Sequence, residues 1–210
     1  IGSTQKGTSA AMIQKLQRNP SNMNTAAEVL KNHELPTREH DVISVLSAAE
    51  YNAAIDQAEM ILVEGAQGYS LGLNSGFYPY VTSRECTPAQ IMTDCGIPIS
   101  YLDKTIGTLR TFPIRVANRY NDVGEMIGTS GPCYHDQKEL QWSDLGIEPE
   151  LTTVTKLPRR VFTFSKQQWR DAYRMCKPDF VFLNFCNYFA NPGPNGNDEL
   201  GELVDHLKLS

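Results

Sequence analysis

Apolar residues recur at helical spacing in AAMIQKLQR (10–18), and Asn19 and Pro20 then stop the pattern. A second helical stretch covers 22–34 and breaks at Leu35-Pro36-Thr37; a third, amphipathic, covers 42–59. The pattern then changes character. Met60–Gly65, MILVEG, is a short continuous apolar run, as expected of a strand buried on both faces. Further helices are predicted over 87–95, with Pro88 in the first turn, over 166–176 and over 199–207. Strands are predicted over 111–117, 161–164 and 179–185. Pro113 lacks an N–H for a ladder, so the first of these belongs at an edge or a bulge. Residues 118–146 read as mostly irregular and 191–198 as a turn-rich loop. Helices alternating with apolar strands imply an α/β fold, a mainly parallel central sheet flanked by helices.

In such sheets ligands sit beyond the carboxyl ends of the strands. The run at 60–65 leads into Glu64, Gly65, Gln67 and Gly68, and the last strand leads into Asn184 and Asn187. Between them ELTTVTKLPRRV (150–161) carries three threonines and a basic tail. Glycines permit close backbone approach, and arginines pair with carboxylate or phosphate. With GSTQKG (2–7), this set suits an anionic, nucleotide-like ligand. GSTQKG lacks the spacing of a P-loop. His135 beside Asp136 reads as an ordinary polar loop pair, and no metal-ligand spacing is present, so no metal site is expected on these residues.

Composition narrows the picture. A chain of 210 residues can bury a sizeable core without disulfides. Five cysteines with no CxxC pair favour reduced thiols and a cytoplasmic setting. A net charge of −5 argues against a nucleic-acid partner, and no apolar run reaches the roughly 18 residues of a membrane span. The chain opens at Ile1 inside a glycine-rich motif, which suggests a piece of a longer protein.

In order, IGSTQKGTSAA, VEGAQG, YPYVTS, FPIRV, TTVTKLPRR and LNFCN are similar to the successive motifs of the adenylosuccinate synthetase family. GTSGPCYHDQKELQW and ELTTVTK resemble its shorter archaeal and phage branch. The resemblance implies the family's P-loop-like fold over a single α/β domain, residues 1–210. That domain would be the central and C-terminal part of a longer synthetase, without the N-terminal glycine-rich loop. It implies a carbon–nitrogen ligase. A nucleoside triphosphate phosphorylates the purine 6-oxygen, and the amine of L-aspartate then displaces phosphate from C6. It places Ser3, Thr4 and Thr82 at the phosphate of a purine nucleoside monophosphate and Gln67 at its base or sugar. Arg18 is lent across a homodimer. Thr153, Val154, Thr155, Lys156 and Arg159 fall in the loop that closes on aspartate, and Asn184, Phe185 and Asn187 fall at the triphosphate. Catalytic residues, and most ligands of the Mg²⁺ the family uses, are expected upstream of Ile1, so this piece alone should be inactive.

The departures bear on specificity. Leu157 stands where the family has a ribose-contacting arginine, Asn187 where it has the aspartate that reads guanine, Phe185 where it has lysine, and Gly72 where it has aspartate. Leucine donates no hydrogen bond, so a sugar without the 2′-hydroxyl becomes acceptable. Asparagine can both donate to and accept from adenine. The phage branch, joining aspartate to dGMP with ATP or dATP on the way to diaminopurine nucleotides, is therefore the expected match. The ordinary synthetase using IMP and GTP, and a nucleotide-binding homologue without catalysis, remain the alternatives.

Overall fold

The computed structural model describes residues 7–19, 25, 26, 28, 44–153, 155–189 and 196–208. The chain divides into two compact units, Gly7–Glu64 and the chain from Gly65 onward. The first unit contains helices α1 (Thr8–Gln17) and α2 (Ala48–Gln57). Helix α2 starts with a full capping box. Ser47 Oγ accepts from the Glu50 N–H, and the Glu50 carboxylate accepts from the Ser47 N–H at 2.8 Å. Most of the helix predicted at 22–34 lies outside the described residues. The strand predicted at 60–65 does not form. A strand exists only in a ladder, and among the described residues nothing pairs with this segment; Met60 and Leu62 are 86% and 85% exposed.

The second unit carries the α/β organisation. Strands β1 (Ile106–Arg110) and β7 (Phe180–Asn184) pair in parallel, in a register that sets Ile106 opposite Phe180 and Arg110 opposite Asn184. The pattern at 106–110 had no strand predicted, because IGTLR is short and interrupted by Gly107 and Thr108. Five strands lie between them in chain order. Strands β2 (Ile114–Arg115), β6 (Arg160–Phe162) and β5 (Glu139–Leu140) form an antiparallel sheet in the order β2-β6-β5. Strands β3 (Arg119–Tyr120) and β4 (Met126–Gly128) form a hairpin. Residues 118–146 are thus more regular than expected, while β2 is short and lies at an edge, as Pro113 required. Phe180 and Phe182 stand 58% and 59% exposed, so one face of β7 is open and the other, with Val181 and Leu183, is half-buried.

Helices α3 (Pro88–Asp94), α4 (Lys166–Cys176) and α5 (Gly196–Lys208) follow their predicted places closely. Thr87 caps α3, with Pro88 in the first turn. The core gathers on β6 and its neighbours. Val161, Phe162, Thr111 and Ser165 are fully buried, with Trp142, Trp169 and Met92 around them. Among the described residues no disulfide joins the five cysteines. No helix among the described residues is long and apolar enough to cross a membrane.

Asp136 has a structural place. It accepts from Ser165 Oγ at 2.6 Å and from the Gln167 N–H at 3.0 Å, while Ser165 Oγ accepts from the Gln168 N–H. A carboxylate at a helix N-terminus is favoured by the exposed N–H groups. Burial alone would raise the Asp136 pKa; the bonds from Ser165 and Gln167 outweigh it and hold the carboxyl below the ordinary aspartate value. A lowered folded-state pKa adds stability above the unfolded-state value of roughly 3.9 and loses it as pH falls through the folded value. Asp136→Asn is therefore expected to lower the melting temperature at pH 7, and the gap from wild type should close below about pH 3.9. Thermal melts from pH 3 to 8 check this; a gap independent of pH contradicts it.

Candidate functional site

The carboxyl ends of β1 and β7 are locked together by Thr111. Its N–H donates to the Asn184 carbonyl at 3.2 Å and its Oγ1 to the Phe185 carbonyl at 2.8 Å, and the side chain is fully buried. Phe185 leaves β7 with φ 62° and opens a 3₁₀ turn at Cys186–Phe189. The Arg110 guanidinium lies over its ring, 3.5 Å from the centroid. Arg110 also pairs with Glu150, and Glu150 accepts from Tyr188 Oη at 2.6 Å. Burial and the bond to Glu150 both raise the Tyr188 pKa, so the phenol stays protonated and donates. Asn187 is exposed beside this cluster in the chain, and Asn184 is exposed with its amide donating to the Phe182 carbonyl at 3.4 Å.

Glu150 is also the base of the 150–159 loop, where its carbonyl accepts from the Arg159 N–H at 2.7 Å. The loop is closed on itself. The Thr152 N–H donates to the Leu157 carbonyl at 2.9 Å, the Leu157 N–H donates to Thr152 Oγ1 at 3.0 Å, and Thr152 and Thr155 hydroxyls share a bond of 2.5 Å. This fold-back turns Thr153, Thr155, Lys156 and Leu157 outward. Leu157 is 40% exposed, an apolar side chain presented where the loop is otherwise polar. Trp142 Nε1 donates to the Arg159 carbonyl at 2.6 Å, fixing that backbone. Among the described residues no ion pair engages the half-buried Arg159 guanidinium. Val154 lies outside the described residues.

A second junction is built on Arg115. Its Nε and Nη2 donate to the Ser130 carbonyl at 2.9 and 2.6 Å, and Nη2 donates to the Tyr80 carbonyl at 3.1 Å. Arg160 approaches from β6, donating to the Gly131 carbonyl at 2.6 Å and to Ser130 Oγ at 3.0 Å while pairing with Glu139. Burial lowers the Arg115 pKa and the neighbouring Arg160 lowers it further, whereas Glu139 raises that of Arg160. Among the described residues no carboxylate pairs with Arg115, so a net positive charge sits under the YPYVTS segment. Thr82 of that segment is half-buried, and its N–H donates to the Leu71 carbonyl at 2.8 Å. The turn after Gln67 is closed by the Leu71 N–H on the Gly68 carbonyl, also at 2.8 Å. Gly72 packs so closely on Ser75 and Glu85 that a Cβ would collide with both side chains.

The structure therefore links, within one unit, the segments holding Gln67, Thr82, Thr153, Thr155, Lys156, Leu157, Arg159, Asn184, Phe185 and Asn187. Arg18 belongs to the other unit, exposed at the C-cap of α1, and Ser3 and Thr4 lie outside the described residues. The described non-glycine residues with positive φ are Arg18, Gln67, Lys156, Lys177 and Phe185. Arg18 and Lys177 are helix C-caps, where that conformation is ordinary. The other three are all predicted ligand-facing residues, and such strain concentrates at functional sites. Sequence reading passed over Arg110, Arg115, Glu150 and Tyr188. An arginine inside an apolar strand, as in IGTLRTF, was the available signal for the first. Among the described residues no cluster of three or more His, Cys, Asp or Glu could hold a metal ion.

A family model described as adenylosuccinate synthetase matches residues 8–188. The N6-succino-2-amino-2'-deoxyadenylate synthase of Salmonella phage PMBT28 is 60% identical over 194 residues, covering 90% of this chain and 53% of that protein. The adenylosuccinate synthetase of a Pyrococcus species is 35% identical over 128 residues, 61% of this chain and 34% of that protein. Among solved structures, the succinoaminodeoxyadenylate synthetase of cyanophage S-2L, bound to dGMP and to dATP as an energy donor, matches at a TM-score of 0.83 and 41% identity. That match covers 99% of this chain and 56% of the cyanophage chain. The chain thus spans about half the length of the curated relatives it matches.

The Arg115 junction depends on Gly131, which has φ 102° and sits so close to Tyr80 that a Cβ would lie 2.7 Å from the ring. Gly131→Ala is expected to lose about 1–3 kcal/mol, from the left-handed backbone and the clash together. Gly124→Ala has φ 82° but open space around it and should lose less. Urea denaturation of both variants checks this; equal losses contradict the close-approach account.

Proposed function

The chain belongs to the adenylosuccinate synthetase family, and we propose that it is the nucleotide- and aspartate-binding part of a carbon–nitrogen ligase acting on dGMP with ATP or dATP. In that reaction the purine N1 gives up its proton, the γ-phosphoryl group passes to O6 and the nucleoside diphosphate departs. The aspartate amine then attacks C6, the C6–O6 bond breaks, phosphate leaves and the amine gives up a proton. The phage relatives and the cyanophage structure with dGMP and dATP support this reading. The observation that carries it is Leu157, an exposed apolar side chain on the self-closed 152–157 loop, set where the family has an arginine for the ribose.

On this reading Thr153, Val154, Thr155, Lys156 and Arg159 receive aspartate, the Arg159 guanidinium, in no ion pair among the described residues, meeting a carboxylate as a fork. Ser3, Thr4, Gln67 and Thr82 receive the monophosphate, with the charge of Arg115 beneath. Arg18 reaches the phosphate of a neighbouring subunit in a homodimer. Asn184, Phe185 and Asn187 receive the triphosphate nucleotide. Arg110 covers one face of Phe185, so a base can stack only on the other face. The enzyme works in the host cytoplasm.

The test uses the enzyme at the full length of its gene, with thermal shifts and kcat/KM for dGMP, GMP and IMP. dGMP is expected to be preferred over GMP in wild type, because an unmade bond to a buried hydroxyl costs about 1–3 kcal/mol, roughly a ten- to hundredfold discrimination. Leu157→Arg should erase that preference. Equal use of GMP and dGMP by wild type, or a preference for IMP, overturns the dGMP assignment.

The donor is read separately. Rates with ATP, dATP and GTP as sole donors should favour the adenine nucleotides, and Asn187→Asp should shift preference toward GTP, since a carboxylate accepts guanine N–H groups and repels the adenine N1 lone pair. A wild type running best on GTP contradicts the proposal.

A further inference from the structure

Glu150 is held at both of its ends. Its carbonyl closes the base of the aspartate loop on the Arg159 N–H at 2.7 Å. Its carboxylate, one-quarter exposed, joins Arg110 and Tyr188, both through Oε1. Arg110 in turn lies over Phe185 and donates through Nε to the Phe112 carbonyl at 3.3 Å, while Tyr188 packs against Phe112, Trp142 and Phe185. Trp142 donates to the carbonyl of the same Arg159. One residue thus ties the base of the 150–159 loop to the turn that follows β7. On the proposed ligand assignment, a loop that moved on binding aspartate would act on Tyr188 and Arg110, the pair against which a base at Phe185 would rest.

From this geometry we infer that Glu150 is a positioning residue that makes aspartate binding and triphosphate binding interdependent. The inference rests on the assignment of those two ligands to the two segments. Coupling of this kind is reciprocal and amounts to roughly 5- to 150-fold in affinity. Glu150 touches neither ligand, so its effect appears in the coupling and not in the binding of either ligand alone.

Calorimetric titration of the full-length enzyme, with dGMP present, measures the Kd of the non-hydrolysable β,γ-imido analogue of dATP with and without saturating L-aspartate. Wild type is expected to bind the analogue at least about fivefold more tightly with aspartate. Tyr188→Phe keeps the aromatic packing and removes only the hydroxyl. Glu150→Gln keeps the shape and removes the charge. In both, the ratio should fall below about twofold, while the Kd of each ligand alone stays within about threefold of wild type. A wild-type ratio of one, or variants that keep the full ratio, overturns the inference and leaves the ligase assignment standing. If wild type binds neither aspartate nor the analogue, the ligase assignment falls, and the inference with it.

Discussion

The bonds from Arg115 to the carbonyls of Ser130 and Tyr80 hold together segments that the chain separates by 15 and 35 residues. A guanidinium stays charged even when burial disfavours it, so the cation must be met by oriented dipoles; here main-chain carbonyls do so. Each charge-assisted bond contributes about 1.5–3 kcal/mol net, and losing the arginine leaves those carbonyls without donors. The consequence is geometric as much as energetic. Tyr80 is fixed against Gly131, the YPYVTS segment is set over β2, and Arg160 is brought alongside to complete the sheet with Glu139. The proposed nucleotide and aspartate segments take their places from this junction and from the Thr111 lock at the end of β1.

Charge balance at the two junctions differs in a way that suits two kinds of group. Arg110 is neutralised by Glu150 and covers an aromatic ring, a surface suited to a base. Arg115 has no carboxylate partner among the described residues and lies under a turn of backbone, a surface suited to an anion. Nucleotides carry both chemistries, and the proposed function assigns the base to the surface at the end of β1 and β7 and the phosphate to the surface at β2.

Two helices were legible in the sequence at their starts, whereas α2, expected from 42, begins only after the Ser47 capping box, with 44–47 non-helical. Pro88 opened α3 and Ser165 opened α4, both within a residue of their expected starts. Strands were less so. MILVEG carries the apolar content of a strand, but a ladder requires a partner and composition cannot supply one. IGTLR, which does pair, hides its character behind glycine and threonine. Of the short strands in 118–146, β3 and β4 are two- and three-residue arms of one hairpin, too short to show a period, and β5 is defined by its pairing with β6. For the site, motif order and family resemblance marked the loops; of the residues that fix those loops, Arg110 stood out only as a charge inside an apolar run, and Arg115, Glu150 and Tyr188 gave no local sign because their roles are tertiary contacts. Leu157 and Asn187 were legible as departures, and both side chains are exposed.

The central claim is that the 150–159 loop and the 184–189 turn form one ligand-bearing end. Amide hydrogen exchange of the full-length protein, with and without dGMP, dATP analogue and aspartate together, addresses it most directly. The account predicts slowed exchange at both segments, including the amides of Leu157, Arg159 and Tyr188, with little change across the β3–β4 hairpin. Protection confined to other parts of the chain, with both segments exchanging as in the free protein, would contradict it.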